Sequence, residues 1–186
     1  KPSQGCIAVA GPVKNNHAKI TNLSWELTEK GLCDSTGLES IELVNDFSVL
    51  IYGLPHLTNQ QQFVIQIPKK RFTKEGPVAI IGAGTGLGTA KGIPTGRGLI
   101  SIPSEGGHSE FAPRYEEEWE LAKWVKKTLE LDRLSLERIV SGNGLGLIAC
   151  WLLERTEGNH HPLRNKAKIW LNQASPKETK DDLPAL

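Results

Sequence analysis

The stretch AIIGAGTGLGTAKG, residues 79–92, restricts the folds open to this chain more than any other. Its glycines suggest two nucleotide-binding loops, and both can be tested by register. A dinucleotide loop needs G-x-G-x-x-G, yet counting from Gly82 and Gly84 puts Leu87 at the third glycine position, and counting from Gly84 and Gly86 puts Thr89 there. A P-loop needs G-x-x-x-x-G-K-[ST], and no Lys follows a Gly at that spacing in the segment. Both loops must also open a helix, whereas the continuation TAKGIPTGRGLISIPSEGG is rich in Gly and Pro and returns to a β-branched run at 99–102. The pattern predicts strand, turn, strand. Two uses of that turn stay open. Gly82, Gly84, Gly86 and Gly88 can take positive φ and carry no Cβ, so bare N–H groups could converge on phosphate oxygens. Otherwise the segment is a plain hairpin turn.

A length of 186 residues with 38% hydrophobic content suits one large or two small globular domains. The 22 basic and 21 acidic residues nearly balance, and apart from PKKR (68–71) the cations are scattered, which argues against a nucleic-acid partner. Cys6, Cys33 and Cys150 are odd in number, distant from one another and free of any C-x-x-C, so neither a disulfide framework nor a cysteine zinc site is expected. A reducing cytoplasm fits this usage. The longest apolar run, LGLIACWLL at 145–153, is too short to span a bilayer, and no membrane partner is expected. The chain contains no Met, which points to a piece of a longer protein or a processed one.

Along the chain, GCIAVAGPV (5–13) reads as a strand buried on both faces. In TNLSWELTEKGL (21–32), Ser24 is the expected N-cap and Gly31 the stop of a short helix behind a loop carrying Thr21 and Asn22. Ile41, Leu43 and Val44 predict a strand, and Phe47, Leu50, Ile51 and Leu54 then recur at helical spacing. Asn45 and Asp46 therefore sit where strand gives way to helix, the edge at which open α/β sheets bind ligands. Residues 56–76, polar and Gln-rich, look like a crossing between domains. Leu121, Ala122, Val125 and Leu129 predict an amphipathic helix within 113–131, with Glu116 to Glu118 in its first turn. A turn at 141–144 leads into a second apolar helix ending near Arg155, and a short third helix is expected around 166–172.

Asp46 beside Asn45 is a candidate general base next to an orienting amide, although Asp46 could simply cap the following helix. SEGGH places Glu105 and His108 in a glycine-softened loop. Two vicinal sugar hydroxyls match the two oxygens of a carboxylate, with an imidazole to donate or accept beside them. Metal chelation there is the weaker reading, because no third ligand is apparent and His160 and His161 lie in a polar loop. Glu137 in SLERIVSG, taken alone, is an ordinary helix-surface glutamate.

VNDFSV, GAGTGLGTA, PSEGGHSEFAP and LERIVSGNGL, in this order, closely resemble bacterial glucokinases of the hexokinase and actin-like superfamily, the type without a cysteine zinc motif and with a cyanobacterial-like tail. The resemblance runs from about Gly5 to Glu154. It implies an α/β chain of two ribonuclease-H-like domains, incomplete at both ends, with 1–70 in the small domain and 71–186 in the large one. It implies ATP-dependent phosphorylation of glucose with Mg2+, in the cytoplasm, and a homodimer would be ordinary. By the same resemblance Asp46 is the catalytic base and Asn45, Glu105, His108 and Glu137 hold sugar hydroxyls. The turn of Gly82, Gly84, Thr85 and Gly86 would face the β- and γ-phosphates. Relatives carry a first phosphate hairpin ahead of this region and an adenosine motif behind it, so the chain is expected to be an internal piece. The strand CIAVA would then have an open edge, and poor solubility is expected.

Overall fold

Val9, Ala18 and Leu43 lie far apart in the sequence and form one buried cluster, because the strands that carry them turn the same face to a common core. The computed structural model describes residues 2–20, 23–67, 76–155 and 160–173. It divides into two units, Lys1–Ile80 with Thr89–Ser104 and Ile81–Gly88 with Glu105–Leu186. The boundary expected between residues 70 and 71, the PKKR run, Thr21 and Asn22 all lie outside the described residues.

In the first unit β1 (Gln4–Val9) is followed by a separate short antiparallel meander of β2 (Val13–Lys14), β3 (His17–Lys19) and β4 (Glu26–Thr28). Next come α1 (Glu29–Thr36), β5 (Ser40–Asn45) and α2 (Asp46–Gly53). β1 pairs with β5 in parallel, Val9 opposite Asn45. Asn15 and Asn16 join β2 to β3 with φ of 51° and 55°, the left-handed conformation that Asn tolerates and tight hairpins require. The Asn16 side chain then donates to Ile41 O (2.7 Å) and accepts from Leu43 N (2.6 Å), filling two backbone positions of β5 as a neighbouring strand would.

Two expectations need correction here. Only one face of β1 is covered: Ile7 and Val9 pack against the core while Cys6 and Ala8, on the opposite face, are exposed, because the cluster with Ala18 and Leu43 builds on the Val9 side. The helix expected from Ser24 to Gly31 starts later. Residues 26–28 are drawn into pairing with β3, burying Leu27 beside Ala18, so Thr28 becomes the cap and accepts from Gly31 N (3.2 Å). Gly31 thus lies inside α1, and Gly37, at φ 72°, ends it.

The chain continues through β6 (Val78–Ala83), β7 (Leu87–Thr95) and β8 (Gly98–Ser104), which form one sheet in that order. The expected strand, turn, strand is present. β7 and β8 are antiparallel, from Thr89 opposite Ser104 to Thr95 opposite Gly98. α2 packs on β8 and seats Ile51 at 0% exposure, a burial that contributes about 1.5–3 kcal/mol. Gly92 permits it, since a Cβ there would lie 2.6 Å from Ile51.

The second unit is mainly helical: α3 (Glu116–Thr128), α4 (Gly142–Glu154) and α5 (Arg164–Gln173). Leu121, Ala122 and Val125, the predicted apolar face of α3, meet Leu134, Ile139 and Leu147 in its core. The turn expected at 141–144 is already helix, because the Ser141 hydroxyl caps α4 by accepting from Gly144 N (3.0 Å).

Candidate functional site

In the first unit, β5 ends in Asn45 and α2 begins at Asp46. The helix cap is Asn45, whose Oδ1 accepts from Phe47 N and Ser48 N, both at 3.0 Å. Its Nδ2 donates to Gly11 O and to Asp46 Oδ1, both at 3.1 Å, so all four of its hydrogen-bonding positions are occupied. Asp46 is half-buried and, among the described residues, takes one backbone donor, Phe47 N at 3.0 Å, also on Oδ1. Its carboxylate is steered by the amide and stands at the positive end of a helix, with Oδ2 left without a protein donor among the described residues. Capping therefore accounts for Asn45 and does not use up Asp46.

In the second unit the glycine turn, Gly84–Thr85–Gly86, is braced from beneath. Gly84 N donates across the turn to Gly86 O (2.9 Å), and Gly142 N, at the start of α4, donates to Gly84 O (2.8 Å). Asn143 Nδ2 reaches Thr85 O (3.3 Å). Glu137 sits on a one-turn 3-10 helix, Leu136–Arg138, and its Oε2 accepts from Leu87 N (2.7 Å). No glycine of this turn has positive φ, so backbone freedom is not what selects glycine there. Close approach does so at Gly86, where a Cβ would strike the Glu137 carboxylate. The N–H groups of Thr85 and Gly86 have no partner among the described residues, and Thr85 is exposed. Two free amides on a turn that admits no side chain at Gly86 make a cradle suited to a phosphate. Gly82, also expected to line the cofactor site, lies one step back, in β6.

Glu105 precedes and His108 ends a second one-turn 3-10 helix, Gly106–His108. Gly107 lies against Leu87 O, where a Cβ would clash, so this loop is packed directly on the strand that leaves the glycine turn. The Glu105 carboxylate and His108 imidazole stand 3.6 Å apart, both partly open to solvent. Backbone rungs hold the next residues of the chain: Phe111 N donates to Leu134 O (2.8 Å) and Leu136 N to Ser109 O (2.7 Å). Arg133 Nη1 donates to His108 O (2.5 Å). Glu105, His108, Glu137 and the glycine turn thus share one unit, while Asn45 and Asp46 belong to the other.

Arg133, Ser141 and Asn143 escaped the sequence reading. Only Ser141 had a readable signal, a cap residue before an apolar periodic run. Among the described residues no three His, Cys, Asp or Glu side chains cluster as a metal site, and no helix is long and apolar enough to cross a membrane.

A family model described as glucokinase matches residues 1–181. Glucokinase of Trichormus variabilis is 41% identical over 178 residues, covering 95% of this chain and 52% of its own. That of Synechocystis sp. is 36% identical over 179 residues, covering 96% and 50%. The crystal structure of glucokinase from an Antarctic psychrotroph superposes with a TM-score of 0.66 at 27% identity, over 91% of this chain and 54% of that one. Glucokinase from Balamuthia mandrillaris, solved in complex with glucose, shares the fold with a TM-score of 0.68 at 23% identity, over 92% and 53%. The chain spans about half the length of the curated relatives it matches.

Proposed function

Because the chain belongs to the glucokinase family, we propose that the protein transfers a phosphoryl group from ATP to the 6-hydroxyl of glucose. The observation that carries the reading is the braced glycine turn, with two unpaired N–H groups and no room for a Cβ at Gly86. Phosphoryl transfer needs little covalent chemistry from a protein and much positioning, so a fixed turn of amide donors is the part such a reaction requires.

Asp46 takes the proton of the attacking hydroxyl on the oxygen that no protein donor occupies, while Asn45 holds the other oxygen in place. To hold a sugar hydroxyl as well, Asn45 gives up its bond to Gly11 or to Asp46. A carboxylate suffices as the base, because proton removal lags behind a loose transition state. Glu105 and His108 offer paired acceptors and a donor to vicinal hydroxyls. Glu137 holds the turn through Leu87 N with one oxygen and keeps the other for the sugar. Bound Mg-ATP supplies the phosphoryl group and the charge neutralisation. Gly84, Thr85 and Gly86 would hold its phosphates, and Mg2+ needs few protein ligands when phosphate oxygens complete its shell. The reading includes a cytoplasmic enzyme with the two-domain ribonuclease-H-like fold, of which this chain is part, and a homodimer.

The test is formation of hexose 6-phosphate from ATP and glucose by the full-length protein, with mannose, fructose and ribose as comparisons. Wild type forms glucose 6-phosphate, and Asp46→Asn lowers kcat by about 100- to 10,000-fold with the fold intact. A folded wild type that phosphorylates none of the sugars, or an Asp46→Asn variant of full activity, refutes the reading.

A further inference from the structure

The backbone rungs that tie residues 109–111 to residues 134–136 stop at Ser109. Glu105 and His108 lie beyond the last rung, in a single 3-10 turn with two glycines in its middle, and the Glu105 side chain makes no capping bond. Two of the bonds that shape the turn are local, His108 N to Glu105 O (3.0 Å) and Ser109 N to Gly106 O (3.2 Å). Such bonds preserve the shape of the turn and do not fix where it points. Arg133 supplies a long-range anchor, because its Nη1 donates to His108 O at 2.5 Å from 25 residues away. A charged donor on a carbonyl is stronger than a neutral one, and a planar guanidinium fixes direction as well as distance.

A second observation separates this anchor from ordinary packing. Arg133 Nη2 is buried and has no hydrogen-bond partner among the described residues. Leaving a buried N–H unpaired costs stability, so an arginine here is a poor choice for holding the fold together. The cost is accepted where the other nitrogen has a task. We infer that Arg133 is a positioning residue for the sugar-binding carboxylate and imidazole, acting through the carbonyl of His108 and touching no substrate itself. The inference rests on the reading of Glu105 and His108 as sugar ligands.

Glucose titration calorimetry on the full-length protein without nucleotide tests it, on wild type, Arg133→Met and Arg133→Lys. Met keeps an apolar stem and removes the donor. Lys keeps a charged donor without the fork. Arg133→Met is expected to bind glucose about tenfold more weakly, the weight of one hydrogen bond from a charged group. It should melt no lower than wild type, since the unpaired buried nitrogen is gone too. Arg133→Lys should recover part of the affinity, and the KM for Mg-ATP should stay at its wild-type value in both. Unchanged glucose affinity in Arg133→Met overturns the inference. So does a lowered melting temperature with parallel losses for sugar and nucleotide, which would make Arg133 a packing residue. A folded wild type that binds no glucose refutes the sugar-site reading itself and removes the inference with it.

Discussion

Cys150 shows how burial alone sets the chemistry of a residue. It lies buried in α4 with its Sγ–H donating to Ala167 O (3.4 Å), and its pKa is raised by burial first and by the Glu154 carboxylate second. Nucleophilic attack needs the thiolate, so Cys150 should resist modification while exposed Cys6 reacts. Timed labelling with a chromogenic disulfide at neutral pH is expected to modify Cys6 first and Cys150 only on unfolding. Three thiols reacting at one rate in the native protein would refute this. The sign for stability comes from the same shift. The folded state prefers the neutral thiol, so this group's contribution is complete below the unfolded thiol pKa and is lost as pH rises through the higher folded one.

Between the single residue and the molecule stands the glycine turn, an element whose chemistry comes from its supports. Gly86→Ala puts a methyl group into the Glu137 carboxylate, so Leu87 N loses its acceptor or the turn moves. Overpacking of this kind costs about 1–3 kcal/mol. The expected outcome is a large loss of ATP affinity by titration with a melting temperature lowered by only a few degrees. Undiminished nucleotide binding would separate the turn from phosphate. How far such elements were legible depended on the range of their causes. The turn was visible because failed registers and a Gly and Pro continuation are local, and the Asn45–Asp46 junction was visible because apolar spacing changes from strand to helix there. The start of α1 was misplaced, since Ser24 is a sound local cap signal and only pairing with β3 moves the cap to Thr28. Asn16 on β5 and Arg133 on His108 act on backbone groups at least 25 residues away. Every residue carries such groups, so neither contact left a mark in the sequence. Positive φ was the wrong reason for glycine at 86, while close approach was a reason no one-dimensional pattern contains.

At the scale of the whole molecule the most exposed apolar segment among the described residues is FVIQI, with Phe63 89% and Ile65 91% exposed. Apolar, β-prone and uncharged, it has the character of an aggregation-prone strand. Ile65→Lys should lower light scattering of the concentrated chain and leave the melting temperature unchanged; equal scattering would clear the segment. The division of the chain has a further consequence. Each unit draws on two separate stretches, since residues 81–88 belong with those from Glu105 onward, and residues 89–104 with those up to Ile80. A gene cut at any single point between codons 81 and 104 would leave neither product with a complete set of parts. Shuffling either unit into another protein therefore takes several coordinated breakpoints, and inheritance of the pair as a block is the simpler path.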